Sequence, residues 1–175
     1  MGGVVDTMQT RTEKGGTNSD GSVGTGLVIE RRFTTVGEDP FDQFEWIEMD
    51  VEIRNADGSL AYRIDDVQLP SGYSGVPGKV LAQKYLRKAG VPAILRKVAE
   101  DGVPEWLQRS EPDHEKLQTL EPDQRYIGES HGRELFRRLA GTWTYWGWKH
   151  GYFEAEADAR AVSYTHLTLP TMELV

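Results

Sequence analysis

The sequence predicts an α+β chain, with an N-terminal β-hairpin or small antiparallel sheet followed by a few helices. Three observations lead there. From Ile47 to Ile53 apolar and acidic residues alternate, the period of a half-buried strand. Asp57-Gly58 follows, and Asp-Gly tolerates the positive φ that a tight hairpin requires. After Pro70 the period changes, and helix-like segments end at Gly-Val-Pro triplets.

Taken in order, residues 1–26 are rich in Gly, Ser, Thr, Asn and Asp. Such a segment buries too little apolar surface to offset its ordering entropy, so it is expected to be disordered. Leu27-Val28-Ile29 opens a short strand that ends near Arg32 to Thr35, and Gly37 to Pro40 is a turn. Trp46 to Ile53 and Leu60 to Ile64 form the hairpin, with Val67 to Leu69 extending the sheet. Gly78 to Ala89 is expected to be a helix stopped by Gly90-Val91-Pro92, and Ala93 to Glu100 a second short helix stopped by Gly102-Val103-Pro104. The same triplet at 75–77 is unequally spaced from these, which argues for repeated turns and against a structural repeat. Residues 108–127 are acidic and carry prolines, the composition of a surface loop. Ser130 is placed to cap a third helix whose residues Leu135, Phe136, Leu139, Ala140 and Trp143 share one face. Glu154 to Ala161 begins a further helix. Residues 27–70 are thus β-rich and residues 71–161 mainly helical.

The last stretch is of another kind. Val162 to Thr171 reads Val-Ser-Tyr-Thr-His-Leu-Thr-Leu-Pro-Thr, which one frame of a transposon-end sequencing adapter encodes at every position. Residues 162–175 are therefore expected to be a non-native, adapter-derived tail. The alternative is a short β-prone segment, since Val, Tyr, Thr and Leu alternate.

Composition narrows the function classes. The 175 residues carry 20 Lys plus Arg against 28 Asp plus Glu, a net charge of -8. Binding to a phosphate backbone depends on clustered cations, so a nucleic-acid role is not expected. No run approaches the roughly 18 consecutive apolar residues of a membrane span, and Met1 to Gly26 has no apolar core to act as a secretory signal. A cytoplasmic location follows as the expectation. There is no cysteine, which excludes disulfides, thiolate metal ligands, cysteine nucleophiles and thiyl chemistry carried by this chain.

No residue stands out as catalytic, cofactor-binding or metal-ligating. His114 lies between Asp113 and Glu115 on a loop, where adjacent ligands rarely converge on a metal. His131 and His150 have no partner nearby in sequence and read as structural or exposed; His166 falls in the adapter-like stretch. Lys79, Lys84, Arg87, Lys88, Arg96 and Lys97 form a basic run that reads as a solvated helix face in acidic surroundings. The informative cluster is Trp143, Tyr145, Trp146, Trp148, Tyr152 and Phe153, which holds three of the five tryptophans. Each such ring can bury about 150–250 Å². They form either a core or a surface that docks onto a partner or onto the rest of a larger chain.

Four segments carry a resemblance: Ile29 to Thr35, Ile53 to Ser59, Leu81 to Pro92 and, most specifically, Arg138 to Lys149 (Arg-Leu-Ala-Gly-Thr-Trp-Thr-Tyr-Trp-Gly-Trp-Lys). Gly151-Tyr152-Phe153 and Asp158 to Ala161 continue in the same order. Over residues 27–161 the chain resembles the N-terminal region of the class II, vitamin B12-dependent ribonucleotide reductases. It departs from them around Tyr73-Ser74, where the family more often shows tryptophan before serine, and residues 1–26 have no counterpart. The resemblance implies a parent enzyme that reduces ribonucleoside diphosphates to deoxyribonucleotides for DNA synthesis, with adenosylcobalamin as the radical source. In the family the catalytic cysteines, glutamate and asparagine lie downstream, in a ten-stranded α/β barrel that this chain lacks. The isolated chain is accordingly expected to be inactive and to bind no cofactor, with the rest of the parent chain as its partner. A free-standing acidic interaction module that docks through segment 143–153 is the alternative. A small hydrolase built on carboxylates and His131 or His150 ranks last, because no pair has a spacing that fixes its geometry.

Overall fold

The computed structural model describes residues 26–168. The expectations for residues 1–25 and 169–175 lie outside the described residues. Strand β1 (Trp46–Arg54) pairs antiparallel with β2 (Leu60–Pro70), with Trp46 opposite Pro70 and Ile53 opposite Tyr62. The turn closes as its residue types require: Gly58 has φ +84°, its N–H donates to the Asn55 carbonyl at 2.9 Å, and Ser59 N–H donates to the Asp57 carboxylate at 2.9 Å. The register shifts between Met49 and Val51, and on the opposite strand Asp66 takes φ +56°. Such an irregularity bends the ribbon. Along its inner side Val51, Val67 and Leu69 are fully buried.

Helices cover that inner face. Helix α1 (Val76–Lys84) contributes Leu81 and Ala82, and α3 (Gly132–Lys149) contributes Leu135, Phe136 and Ala140. Phe41, from the 3-10 turn Pro40–Gln43, and Leu86 complete the centre. At Gly78 the backbone of α1 approaches the loop so closely that a Cβ would lie 2.3 Å from the Tyr73 carbonyl oxygen. Only glycine allows that packing.

The α+β class holds, with small antiparallel sheets, four helices and no closed barrel among the described residues. Several elements differ from expectation. Leu27 to Ile29 is not a strand with its own sheet; Leu27 makes one bridge to Phe153, its N–H donating to the Tyr152 carbonyl at 2.8 Å. Helix α1 ends at Lys84 rather than Ala89, because Arg87 exchanges backbone hydrogen bonds with Glu129 instead of with the helix: its N–H meets the Glu129 carboxylate at 2.9 Å and its carbonyl accepts Glu129 N–H at 2.8 Å. The segment expected to be a second helix, Ala93 to Glu100, is extended. Strand β3 (Val91–Pro92) and strand β4 (Leu95–Lys97) flank Ala93, and β4 pairs with β5 (Ser110–Pro112). The expected loop 108–127 thus supplies strand partners. It also carries a one-turn helix, α2 (His114–Leu117), and β6 (Tyr126–Ile127), which pairs with β3.

Helix α4 (Glu156–Thr168) starts two residues later than expected. The buried Asp158 carboxylate fixes its first turn, accepting Ala155 N–H at 2.9 Å and Ile29 N–H at 2.8 Å. The helix runs on without a break through residues 162–168, and Leu167 joins the core cluster. No helix among the described residues is long and apolar enough to cross a membrane.

Candidate functional site

Helix α3 carries the aromatic segment, and its start is tightly built. His131, not Ser130, is the N-cap: its Nδ1 accepts Arg133 N–H at 3.1 Å. The Glu134 carboxylate reaches back to accept the N–H groups of Ser130 and His131, each at 3.1 Å, completing a capping box. Burial, and then the nearby Arg133 charge, hold the His131 imidazole below its ordinary 6.5, so it remains neutral and able to accept. Its ring packs edge-on against Trp46, with centroids 4.7 Å apart. The expected structural role of His131 thus has a definite form.

The six aromatic residues divide. Tyr145, Trp148 and Phe153 are committed to the fold. The Tyr145 hydroxyl donates to Glu100 at 2.8 Å, and Trp148 Nε1 donates to the Gly102 carbonyl at 2.6 Å. Phe153 lies against the bare backbone of Gly147, where a Cβ would approach the ring to 2.7 Å. Trp143, Trp146 and Tyr152 face outward, at 47%, 57% and 62% exposure. The core of α3 is made instead by Leu135, Phe136, Ala140, Thr144 and Gly147.

Glu100 is a junction that the sequence did not disclose. Lys149 Nζ donates to it at 2.6 Å, Tyr145 donates beside it, and Arg109 Nε lies 3.5 Å away. The Lys149 hydrogen bond foremost, and then that of Tyr145, hold the Glu100 carboxyl below the ordinary carboxylate range; the Tyr145 hydroxyl and Lys149 ammonium are held up in return. A second such tie joins the buried Glu129 to Arg138 through two contacts of 3.0 Å, with Arg87 N–H completing the carboxylate's shell. Glu100 lies 49 residues before Lys149, and Arg87 lies 42 residues before Glu129, so no local pattern could reveal either junction as a whole.

Beside the aromatic face runs a cleft of about 950 Å³, open along one side. Arg138, Thr142, Tyr145 and Trp146 form its floor on one side of α3, β3, β4 and residues 106–110 form a wall, and Ser163, Tyr164 and Leu167 of α4 also line it. The basic run expected on a helix face does not stay together. Arg96 and Lys97 lie on β4, where Arg96 pairs with Glu111 and Lys97 Nζ donates to the Gln108 carbonyl at 2.7 Å. The remaining histidines form no site. His114 is exposed on α2, His150 packs near Tyr152 at 6.2 Å, and His166 sits edge-on to Trp143 at 5.3 Å. Among the described residues no group of three His, Cys, Asp or Glu is arranged to hold a metal ion.

Residues 48–167, which include all but the first two residues of the hairpin, the cleft and the whole aromatic segment, match the family described as class II vitamin B12-dependent ribonucleotide reductase. The chain belongs to this family. A vitamin B12-dependent ribonucleotide reductase from Bradyrhizobium diazoefficiens is 50% identical over 135 residues, 77% of this chain and 11% of the relative. One from Agrobacterium fabrum is 49% identical over the same shares. A third, from Streptomyces avermitilis, is 37% identical over 79 residues, 44% of this chain and 8% of the relative. The chain thus spans about a tenth of the length of the first two of these reductases, and corresponds to their N-terminal region.

Proposed function

We propose that this chain is the N-terminal region of an adenosylcobalamin-dependent ribonucleoside-diphosphate reductase, a cytoplasmic enzyme of DNA-precursor synthesis. In this reading the chain is catalytically inert alone and serves to seat itself on the rest of the parent, the catalytic barrel included. The carrying observation is the family match at half identity over only a tenth of the relatives' length. The absence of cysteine agrees with it, because the implied reduction draws its electrons from a cysteine pair.

Trp143, Trp146 and Tyr152 are the proposed contacts with the barrel. Three large rings half exposed on one short segment are the kind of apolar surface that marks an interaction site. Tyr145, Trp148 and Phe153 act behind them by fixing α3 and the turn after it, so the outward rings are presented from a rigid support.

Adenosylcobalamin supplies the parent's radical by homolysis of its cobalt–carbon bond. The described residues do not fit a cradle for it. The His131 ring accepts a backbone N–H and packs on Trp46, His166 packs on Trp143, and the cleft's guanidiniums are largely turned to carboxylates of this chain. No residue here is assigned to the cofactor.

Residues 162–175 are proposed to derive from adapter DNA. The family match reaches residue 167, so its last positions overlap that segment. A long read of source DNA across the codons for residues 155–175 decides. A genomic frame that leaves this sequence after Ala161 supports the proposal, whereas genomic codons for Val162 to Val175 overturn it. The function is tested by turnover. The intact parent should reduce ribonucleoside diphosphates only with adenosylcobalamin, and this chain alone should show none. An intact parent without such turnover would overturn the assignment.

A further inference from the structure

The cleft beside α3 is positively charged on a chain of net charge -8. Five cationic side chains line it against two carboxylates. Three of the five are already answered: Arg138 by Glu129 at 3.0 Å, Arg137 by Asp39 at 3.0 Å and Arg109 by Glu100 at 3.5 Å. One of the two lining carboxylates, Glu129, is consumed by Arg138, and the other, Glu134, caps α3. Two cations remain. Arg87 has an exposed side chain with no acidic partner among the described residues, and Lys97 is held only by the neutral carbonyls of Trp106 and Gln108. Cations left without an acidic partner along an open groove attract an anionic occupant.

The distribution of groups favours an extended peptide over a compact ligand. Small-molecule sites bury most of their ligand, whereas this groove is open along one side. Along the floor, Arg138 and Trp146 are eight residues apart on one helix face, about 12 Å at the helical rise of 1.5 Å per residue. That is the length of about four residues of extended chain. In an extended segment alternate side chains point the same way, so acidic residues can meet Arg87 and Lys97 while an apolar one covers Trp146. The groove is also continuous with the outward aromatic face, since Trp146 belongs to both.

We infer that the part of this cleft formed by residues 87–146, all of which precede the adapter-like stretch, receives an acidic, extended segment from the remainder of the parent reductase. The inference rests on the reading of the chain as one region of that enzyme. Most of the parent lies outside the matched tenth, and a tethered segment acts at an effective concentration near millimolar, so few contacts suffice.

Hydrogen exchange tests it. In the intact parent, backbone amides of residues 93–98 and 106–110 should exchange at least about tenfold more slowly than in this chain alone. Arg87→Glu should abolish that added protection, as should Lys97→Gln separately, so the result does not depend on one variant folding. Protection that survives both variants overturns the inference. So does protection that appears only when ATP or inorganic tripolyphosphate is added, which would make the occupant a phosphate-bearing ligand. Turnover of the parent is read in parallel. Retained turnover with protection unchanged in both variants refutes the acidic segment alone, while absence of turnover in the unmodified parent refutes the proposed function on which it stands.

Discussion

The two faces of α3 are built on opposite rules. Inward, against the hairpin, α4 and Phe153, the helix presents Leu135, Phe136, Ala140, Thr144 and Gly147, which together fill a closed space. On the other side two of its three tryptophans, Trp143 and Trp146, are about half exposed. In an ordinary amphipathic helix the bulk goes inward. Here the inward positions near the C-terminal end are Thr and Gly because α4 and Phe153 come close, and the rings are displaced outward. The lesson is that an aromatic-rich stretch need not mark a core. What decides is whether the residues between the rings are small enough for another element to approach.

The comparison breaks first at the core. Phe136 is 4% exposed and packs against Phe41 and Tyr73, with ring centroids 6.5 and 6.3 Å away. Phe136→Ala leaves a cavity beneath the hairpin and should cost about 3–5 kcal/mol. A lower urea midpoint at unchanged slope would show it. A loss under about 1 kcal/mol would mean that the inward face is not closely packed.

The parts of the fold legible in the sequence are those whose partners are near in the chain. The hairpin is one: its alternation and its Asp57-Gly58 turn lie within one stretch, and β1 and β2 form where expected. Helix α3 is another, because Leu135, Phe136 and Ala140 repeat at helical spacing. Between Lys84 and Ile127 legibility fails. Strand β4 is three residues long and is held by Ser110 to Pro112, and β3 by Tyr126 and Ile127. Leu95, Arg96 and Lys97 have no pattern that favours a strand until those partners arrive. The six aromatic candidates were legible as a cluster. Their division was not, because it depends on Gly102, Glu100 and Gly147 meeting Trp148, Tyr145 and Phe153.

A smaller effect sharpens the comparison at the entrance to α3, where both faces begin. The folded state holds the His131 imidazole below its ordinary 6.5, by burial first and by Arg133 second. The unfolded chain therefore takes up this proton more readily than the folded one. Stability from this group is complete above about pH 6.5 and is lost as pH falls below it, when protonation removes the Nδ1 acceptor from Arg133 N–H. An N-cap is worth about 0.5–2 kcal/mol. Urea midpoints of the unmodified chain should fall between pH 7 and 5.5. His131→Asn keeps a capping oxygen and cannot titrate, so its midpoint should be flatter across that window, whatever constant cost it carries for losing the Trp46 contact. Equal slopes for the two chains would mean that the cap does not depend on a neutral ring.

The smallest effect on stability carries the functional half of the comparison. Trp146 is 57% exposed on the outer face, and its substitution removes little that the isolated fold uses. Trp146→Ala should change the unfolding free energy of this chain by no more than about 0.5 kcal/mol, the usual range for surface positions. In the intact parent the same ring is proposed to lie against another part of the enzyme, where a buried aromatic anchor is worth about 2 kcal/mol or more. Trp146→Ala should then destabilise the parent by that larger amount while leaving this chain unchanged. Equal, small losses in both would leave Trp146 a solvent-exposed ring in the enzyme as well. A large loss already in the isolated chain would place it in the core, and the two faces of α3 would no longer differ.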